Sequence, residues 1–269
     1  MMVTDSLIKA FQTKILLWYT KQKRDLPWRK TTDPYRILLS EVMLQQTQVD
    51  RVIGYYERFL LTYPTMDALA KADTKTLLSL WSGLGYNNRA LRLRACAQEL
   101  CKHSSVPRAF PSTEEELCAL PGIGPYTARA VLSFAFNKEV PVIDTNIRRV
   151  LIHELGLAEE ISKSDLESVA RSCVPKGKSC IWHNALMDYG ALVLTAKKTG
   201  IAPLSKQSTF AGSTRQVRGA ILRHLLAKEK ESFAVLKKQY AHSKFDAIIE
   251  KLLKETLVVK EGRNIYLSK

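Results

Sequence analysis

A chain of 269 residues, 46% apolar and 25% charged, has ordinary globular composition and room for one large or two modest domains, which excludes a disordered or collagen-like polypeptide. Its 41 Lys and Arg against 26 Asp and Glu give a formal net charge of +15. That excess fits a polyanionic partner, because each phosphate neutralised releases condensed counterions, although an unengaged basic surface has the same composition. No apolar run approaches the ~20 residues of a membrane span. Five cysteines without a Cys-x-x-Cys pair predict reduced thiols in a reducing compartment, and five scattered histidines have no metal-ligand spacing.

In chain order, Leu7, Phe11, Ile15 and Leu16, interleaved with Lys9 and Lys14, predict an amphipathic helix and not a signal peptide. Asp33-Pro34, an N-cap followed by proline at the first helical position, opens a long periodic segment with Val49, Val52, Ile53, Tyr56, Phe59 and Leu60 on one stripe. Thr65, Thr74, Ser112, Asp144 and Ser232 are further helix starts, and Ser164 with Glu167 has capping-box spacing. Alternating strands are absent until 257–259 and 265–267, which flank a glycine turn at Gly262. The stretch 202–214, rich in Ser, Thr, Gly and Pro, predicts a boundary. Beyond it, helices at about 215–229, 233–240 and 243–256 and then a hairpin suggest a winged-helix-like module over 213–269. The expected fold is all-α with this small appended module. From Ile201 onward the chain holds 14 basic and 6 acidic residues, so the charge is concentrated in the tail. Such modules bind protein partners as well as DNA.

Two motifs carry chemistry. Gly83-Leu84-Gly85 and Gly122-Ile123-Gly124 each precede a helix with Tyr and Arg. A glycine turn at a helix N-terminus lets backbone amides approach a phosphate without reading sequence; the same pattern also makes a plain helical hairpin. The second motif is a pair of carboxyls. Glu41 shares a helix face with Ile37, Leu38 and Leu44, surroundings that raise a carboxyl pKa, or is an ordinary helical glutamate at the edge of the stripe. Asp144, after Val140-Pro141-Val142-Ile143, sits at an N-cap, where helix amides and the nearby Arg148 and Arg149 hold it ionised. One carboxyl suited to hold a proton and one suited to stay charged match glycosidic-bond cleavage.

Leu26-Pro27-Trp28-Arg29, Asp33-Pro34-Tyr35, the run from Ser40 to Val49, Gly83-Leu84-Gly85-Tyr86, the hairpin at 120–128 and Val142-Ile143-Asp144-Thr145-Asn146 occur in that order. Together they closely resemble the helix-hairpin-helix DNA glycosylases, and among them the MutY-type adenine glycosylases, over roughly residues 8–204. The resemblance implies two helical lobes: one from 1–29 and 137–204, the other a six-helix barrel over 30–136 bearing the hairpin, with a nucleotide flipped out of double-stranded DNA into the cleft between them. It implies that Glu41 protonates the adenine, that Asp144 stabilises the oxocarbenium-like sugar, and that Tyr126 and Asn146 support them. Arg24, Leu26, Trp28 and Asp188 would line the base pocket, with Leu26 and Trp28 open to a plain core role. Gln46, Thr47 and Tyr86 would fill the gap left by the flipped base, and Gly122, Gly124 and Thr127 would hold the DNA backbone. Tyrosine in place of the lysine of strand-nicking relatives implies a monofunctional enzyme.

Three departures stand out. The family's Cys-x6-Cys-x2-Cys-x5-Cys ligand run falls here on Leu194, Ile201, Leu204 and Phe210, so no [4Fe–4S] cluster and no other metal is expected, and an apolar plug is expected in its place. Asn87 stands where the family commonly has a second tyrosine. A winged-helix-like tail is expected where the family usually has a Nudix-like domain that recognises 8-oxoguanine. The sequence therefore predicts a monomeric, cytoplasmic, nucleoid-associated prokaryotic base excision enzyme that removes adenine opposite guanine or 8-oxoguanine. Alternatives are excision of thymine or uracil from G mismatches, or non-catalytic recognition of damaged DNA.

Overall fold

The computed structural model describes residues 3–102, 110–204 and 209–268. Helix α1 (Asp5–Gln22) is followed by a 3-10 turn at Pro27–Arg29, then α2 (Pro34–Leu44), α3 (Val49–Thr62), α4 (Met66–Ala70), α5 (Thr74–Trp81) and α6 (Asn88–Cys101). Next come α7 (Glu114–Cys118), α8 (Pro125–Phe136), α9 (Thr145–Leu155), α10 (Lys163–Ser172), α11 (Ser179–Leu192) and α12 (Ala196–Thr199). The tail runs α13 (Thr214–Lys228), β1 (Lys230–Ser232), α14 (Phe233–Gln239), α15 (Phe245–Lys254), β2 (Val258–Glu261) and β3 (Asn264–Leu267).

Four predicted caps carry their bonds. Asp33 accepts from the Tyr35 amide at 2.8 Å, Thr65 from Ala68, Asp144 from Ile147 and Ser232 from Val235. Three other starts shift by one or two residues. Asp73 caps α5 through the Thr76 amide, and Thr113 forms the reciprocal capping box with Glu116. Ser162 caps α10, which frees Glu167 to accept from Arg129 at 2.9 Å. In each case the capping side chain is the one whose extended backbone lets it reach back to the third helical amide. The stripe from 34 to 60 is two helices: Gln46 adopts a left-handed φ of 56°, which ends α2 before α3 restarts at Val49.

The chain forms two compact units, residues 1–41 with 110–206, and residues 42–109 with 207–269. The hairpin at 120–128 thus groups with the N-terminal segment, and the tail with the middle of the chain. In the first unit Ile8, Phe11 and Ile15 line one face of α1 and pack with Val150 and Leu151 of α9 and Trp182 and Leu186 of α11. The Phe11 ring meets Trp182 edge-on at 5.2 Å. In the second, Phe59 of α3 meets Trp81 of α5 at 5.9 Å.

The tail has the expected three helices and hairpin, plus a third strand. Its sheet order is β1-β3-β2, antiparallel, with Glu231 opposite Ile265 and Val259 opposite Tyr266. Ile265, Leu252 and Leu225 close its own buried core. At three residues, β1 is too short to show alternation. Helix α13 packs on α5.

Candidate active site

Glu41, Tyr126, Asp144 and Asn146 all fall in the first unit, and the fold brings them together. Helix α2 supplies Glu41, only 7% exposed although ionisable. The first turn of α8 supplies Tyr126, whose hydroxyl hydrogen-bonds the Glu41 carboxyl. Asp144 caps α9, accepting from the Ile147 amide at 2.7 Å and from Asn146 Nδ2 at 3.2 Å. Buried Arg149, one turn further on, donates to Asn146 Oδ1 at 2.6 Å and to the Gly190 carbonyl at 2.7 Å. With its oxygen held by the guanidinium, the Asn146 amide has to turn its NH₂ toward Asp144. Gly190 lets α11 approach: a Cβ there would lie 2.8 Å from the Asn146 Cβ. The sequence marked Arg149 only as a cation near Asp144, not as the group that orients Asn146, and it did not mark Gly190.

Burial raises the Glu41 pKa to about 7; the Tyr126 hydrogen bond and Arg29 oppose the rise, and the Asp144 charge adds to it. Asp144 departs from expectation. Burial raises its pKa too, against the opposing pull of the Ile147 amide, Asn146 and Arg149. The cap and the cation therefore only partly offset the cost of placing this carboxylate in the interior. Tyr126, raised well above its ordinary value by burial and by both carboxyls, stays a neutral donor.

Because Glu41 ionises near 4.5 in the unfolded chain and near 7 when folded, the folded state holds the extra proton between those values. The stability from that proton is complete at low pH and is lost as pH rises through about 7. Glu41→Gln removes the titration, so the variant's melting temperature relative to the parent should rise by about 5 °C between pH 5 and pH 8. Thermal melts at both pH values check this, and a constant difference would remove Glu41 from the account.

The proposed base-pocket residues are also in this unit, but Asp188 is fully buried and committed. It accepts from Arg24 Nε and Arg29 Nη1 at 2.6 Å, from Arg29 Nη2 at 2.8 Å and from the Arg24 amide at 3.0 Å. Burial disfavours its charge, yet these donors hold its pKa below the ordinary value. Asp188 thus aims Arg24 and Arg29, and Leu26 and Trp28 between them are buried. Arg29, quoted in the motif without a role, is a residue that sequence reasoning passed over. His183 is another. Its Nε2 accepts the Val142 amide at 3.1 Å and its Nδ1 lies 2.9 Å from the Ser179 carbonyl. Burial lowers its pKa to about 4, so a neutral ring pins the segment two residues before Asp144.

In the hairpin, Gly122 has φ 80° and Gly124 is the N-cap of α8, with no side-chain cap and with Pro125 next. That leaves an uncapped helix N-terminus, as an anion site needs. Thr127 is 4% exposed, so its side chain faces inward.

Gln46, Thr47 and Tyr86 lie in the second unit. Arg89 ties their loops together. Its Nη1 donates to the carbonyls of Met43 at 3.1 Å and Gln45 at 2.9 Å, and its Nη2 to those of Leu84 at 3.2 Å and Gly85 at 3.0 Å. Gln46 and Tyr86 both hold left-handed backbones, φ 56° and 48°, a strain that non-glycine residues keep only where surroundings fix them.

The donor set does not fit a cluster. Leu194 and Ile201 are buried, but Leu204 is 83% and Phe210 61% exposed. The four-residue plug is therefore corrected to two side chains, because the chain leaves the first unit's core after Ile201. Among the described residues no group of three or more His, Cys, Asp or Glu could hold a metal ion, and no helix is long and apolar enough to cross a membrane.

Residues 39–176 match the family model of the HhH-GPD superfamily base excision DNA repair proteins. Adenine DNA glycosylase of Mycolicibacterium smegmatis is 39% identical over 230 residues, 78% of each chain. That of Mycobacterium tuberculosis is 38% identical over 81% of this chain and 79% of the relative. Among solved structures, a thermostable thymine-DNA glycosylase superposes with TM-score 0.66 at 28% identity, covering 74% of this chain and 95% of the other. With a family model across half its length and these relatives across most of it, the chain belongs to the HhH-GPD superfamily of base excision DNA repair proteins, in the family of the adenine DNA glycosylases.

Proposed function

We propose that this protein hydrolyses the N-glycosidic bond of adenine mispaired with guanine or 8-oxoguanine in double-stranded DNA and leaves an abasic site. The observation that carries the reading is the buried Glu41 carboxyl, with a pKa near 7, hydrogen-bonded by Tyr126 and coupled to Asp144. Glu41 gives its proton to the adenine ring, and the base departs with the electron pair of the bond to the sugar. Asp144, oriented by Asn146 and the Ile147 amide, stabilises the cationic sugar. Water then adds to the anomeric carbon and loses a proton. Arg24, Leu26 and Trp28 line the base pocket, with Asp188 behind the arginine; Gln46, Thr47 and Tyr86 fill the vacated stack. The amides of Gly122, Gly124 and Thr127 hold the backbone phosphate. Tyrosine at 126 supports hydrolysis without strand scission. The apolar side chains at 194, 201, 204 and 210 support a chain that works without a cluster or metal. Basic charge supports binding to DNA, and five free thiols support a reducing compartment such as a prokaryotic cytoplasm.

Duplexes carrying A:8-oxoguanine, A:G, T:G and U:G, followed by alkali, test this. Abasic product only from adenine duplexes is expected. Product from T:G or U:G would favour the second reading, supported by the likeness to the thymine-DNA glycosylase. Binding without product from any duplex would make the chain a damage-recognition protein, and breakage without alkali would overturn the monofunctional assignment.

A further inference from the structure

The tail reaches the loop that carries Tyr86. Arg215, in the first turn of α13, donates from Nη1 to the Tyr86 hydroxyl at 3.2 Å. The residues lie 129 apart in sequence but in one compact unit. Helix α13 packs along α5, and at its far end Glu229 accepts from Lys75 at 2.5 Å. Arg218 pairs with Glu255, which joins α13 to the end of α15.

The loop itself is fixed from beneath. The Tyr55 hydroxyl donates to the Ser82 carbonyl at 2.8 Å, and a Cβ added at Gly83 would fall 2.2 Å from that hydroxyl. Arg89 holds the Leu84 and Gly85 carbonyls, with its guanidinium 5.8 Å from the Tyr86 ring centre. The backbone is thus held in a left-handed turn while the ring stays 43% exposed. A phenol exposed to that degree would sample several rotamers unless its far end were held. Arg215 holds that end, and it belongs to the tail.

We propose that the C-terminal module is a specificity element, in which Arg215 is a positioning residue that sets the Tyr86 ring against the base opposite the lesion. This rests on the placement of Tyr86 in the vacated stack given above. The module thereby influences partner recognition through Tyr86 and needs no base contact of its own. Its basic surface supplies sequence-independent affinity, while Arg215 supplies discrimination.

The test uses the full chain and duplexes with a stable abasic analogue opposite 8-oxoguanine, guanine or thymine, so that binding is read without chemistry. Arg215→Ala and Tyr86→Phe delete the same hydrogen bond. Each should shrink the affinity ratio for purine over thymine partners by about 3–10-fold, and the double variant should do no more than either alone. Arg215→Lys should restore part of the ratio, and melting temperatures should stay unchanged. Additive effects, an unaltered ratio in Arg215→Ala, or a parent with no partner preference would each overturn the proposal. A parent that keeps its preference here but excises no adenine would sink the catalytic reading and leave this one standing.

Discussion

Glu41→Gln should lower single-turnover adenine excision by ~10² or more while leaving affinity for the mispaired duplex within about threefold. Glutamine keeps the size and the acceptor oxygen facing Tyr126, and loses only the transferable proton. The loss therefore falls on the chemical step and not on binding. The parent's own rate should fall as pH rises through about 7, where burial places the carboxyl's pKa, and the variant's residual rate should lose that dependence. Rapid-quench measurements from pH 5.5 to 8.5 check both. A variant as fast as the parent would remove Glu41 as the acid; one that no longer binds DNA would make it structural.

For the carboxyl, helical spacing from Ile37, Leu38 and Leu44 left open both an ordinary edge-of-stripe glutamate and a proton-holding one, and the family motif around it decided between the two. The periodic elements themselves, among them the α1 stripe and the tail's three helices, were legible from local spacing alone, as was the glycine hairpin. Asp144 was only half legible. Its cap is a local feature, but its raised pKa comes from burial by segments distant in sequence, which the N-cap pattern does not encode. Arg89 was invisible for a related reason: its acceptors are backbone carbonyls of two loops, so no partner residue type marks it. The break at Gln46 was hidden because left-handed backbone at a non-glycine residue is imposed by tertiary bonds and not by local propensity. Leu204 and Phe210 misled in the opposite direction, since an apolar side chain at a ligand position does not by itself have a core to enter.

Asp188→Ala should be the most damaging single change to stability, costing about 3–5 kcal/mol. The carboxylate is fully buried and gathers donors from Arg24 and Arg29. Its removal leaves two guanidiniums facing each other with no anion between them, and the Arg29 side chain, only 10% exposed, has little water to replace it. Asp188→Asn keeps the shape but supplies one acceptor oxygen and a competing NH₂, so it should recover only a minor part of the loss. The pair also sets an acid limit. Because the folded pKa is depressed, its stabilisation is present above the unfolded value near 3.8 and disappears as pH falls through the lower folded one. Urea titrations at pH 7 and pH 3 separate these contributions: the gap between parent and Asp188→Ala should be full at pH 7 and narrow toward acid. A gap below 1 kcal/mol at pH 7 would mean that Arg24 and Arg29 find other partners, and Asp188 would then return to consideration as a group that meets the base directly.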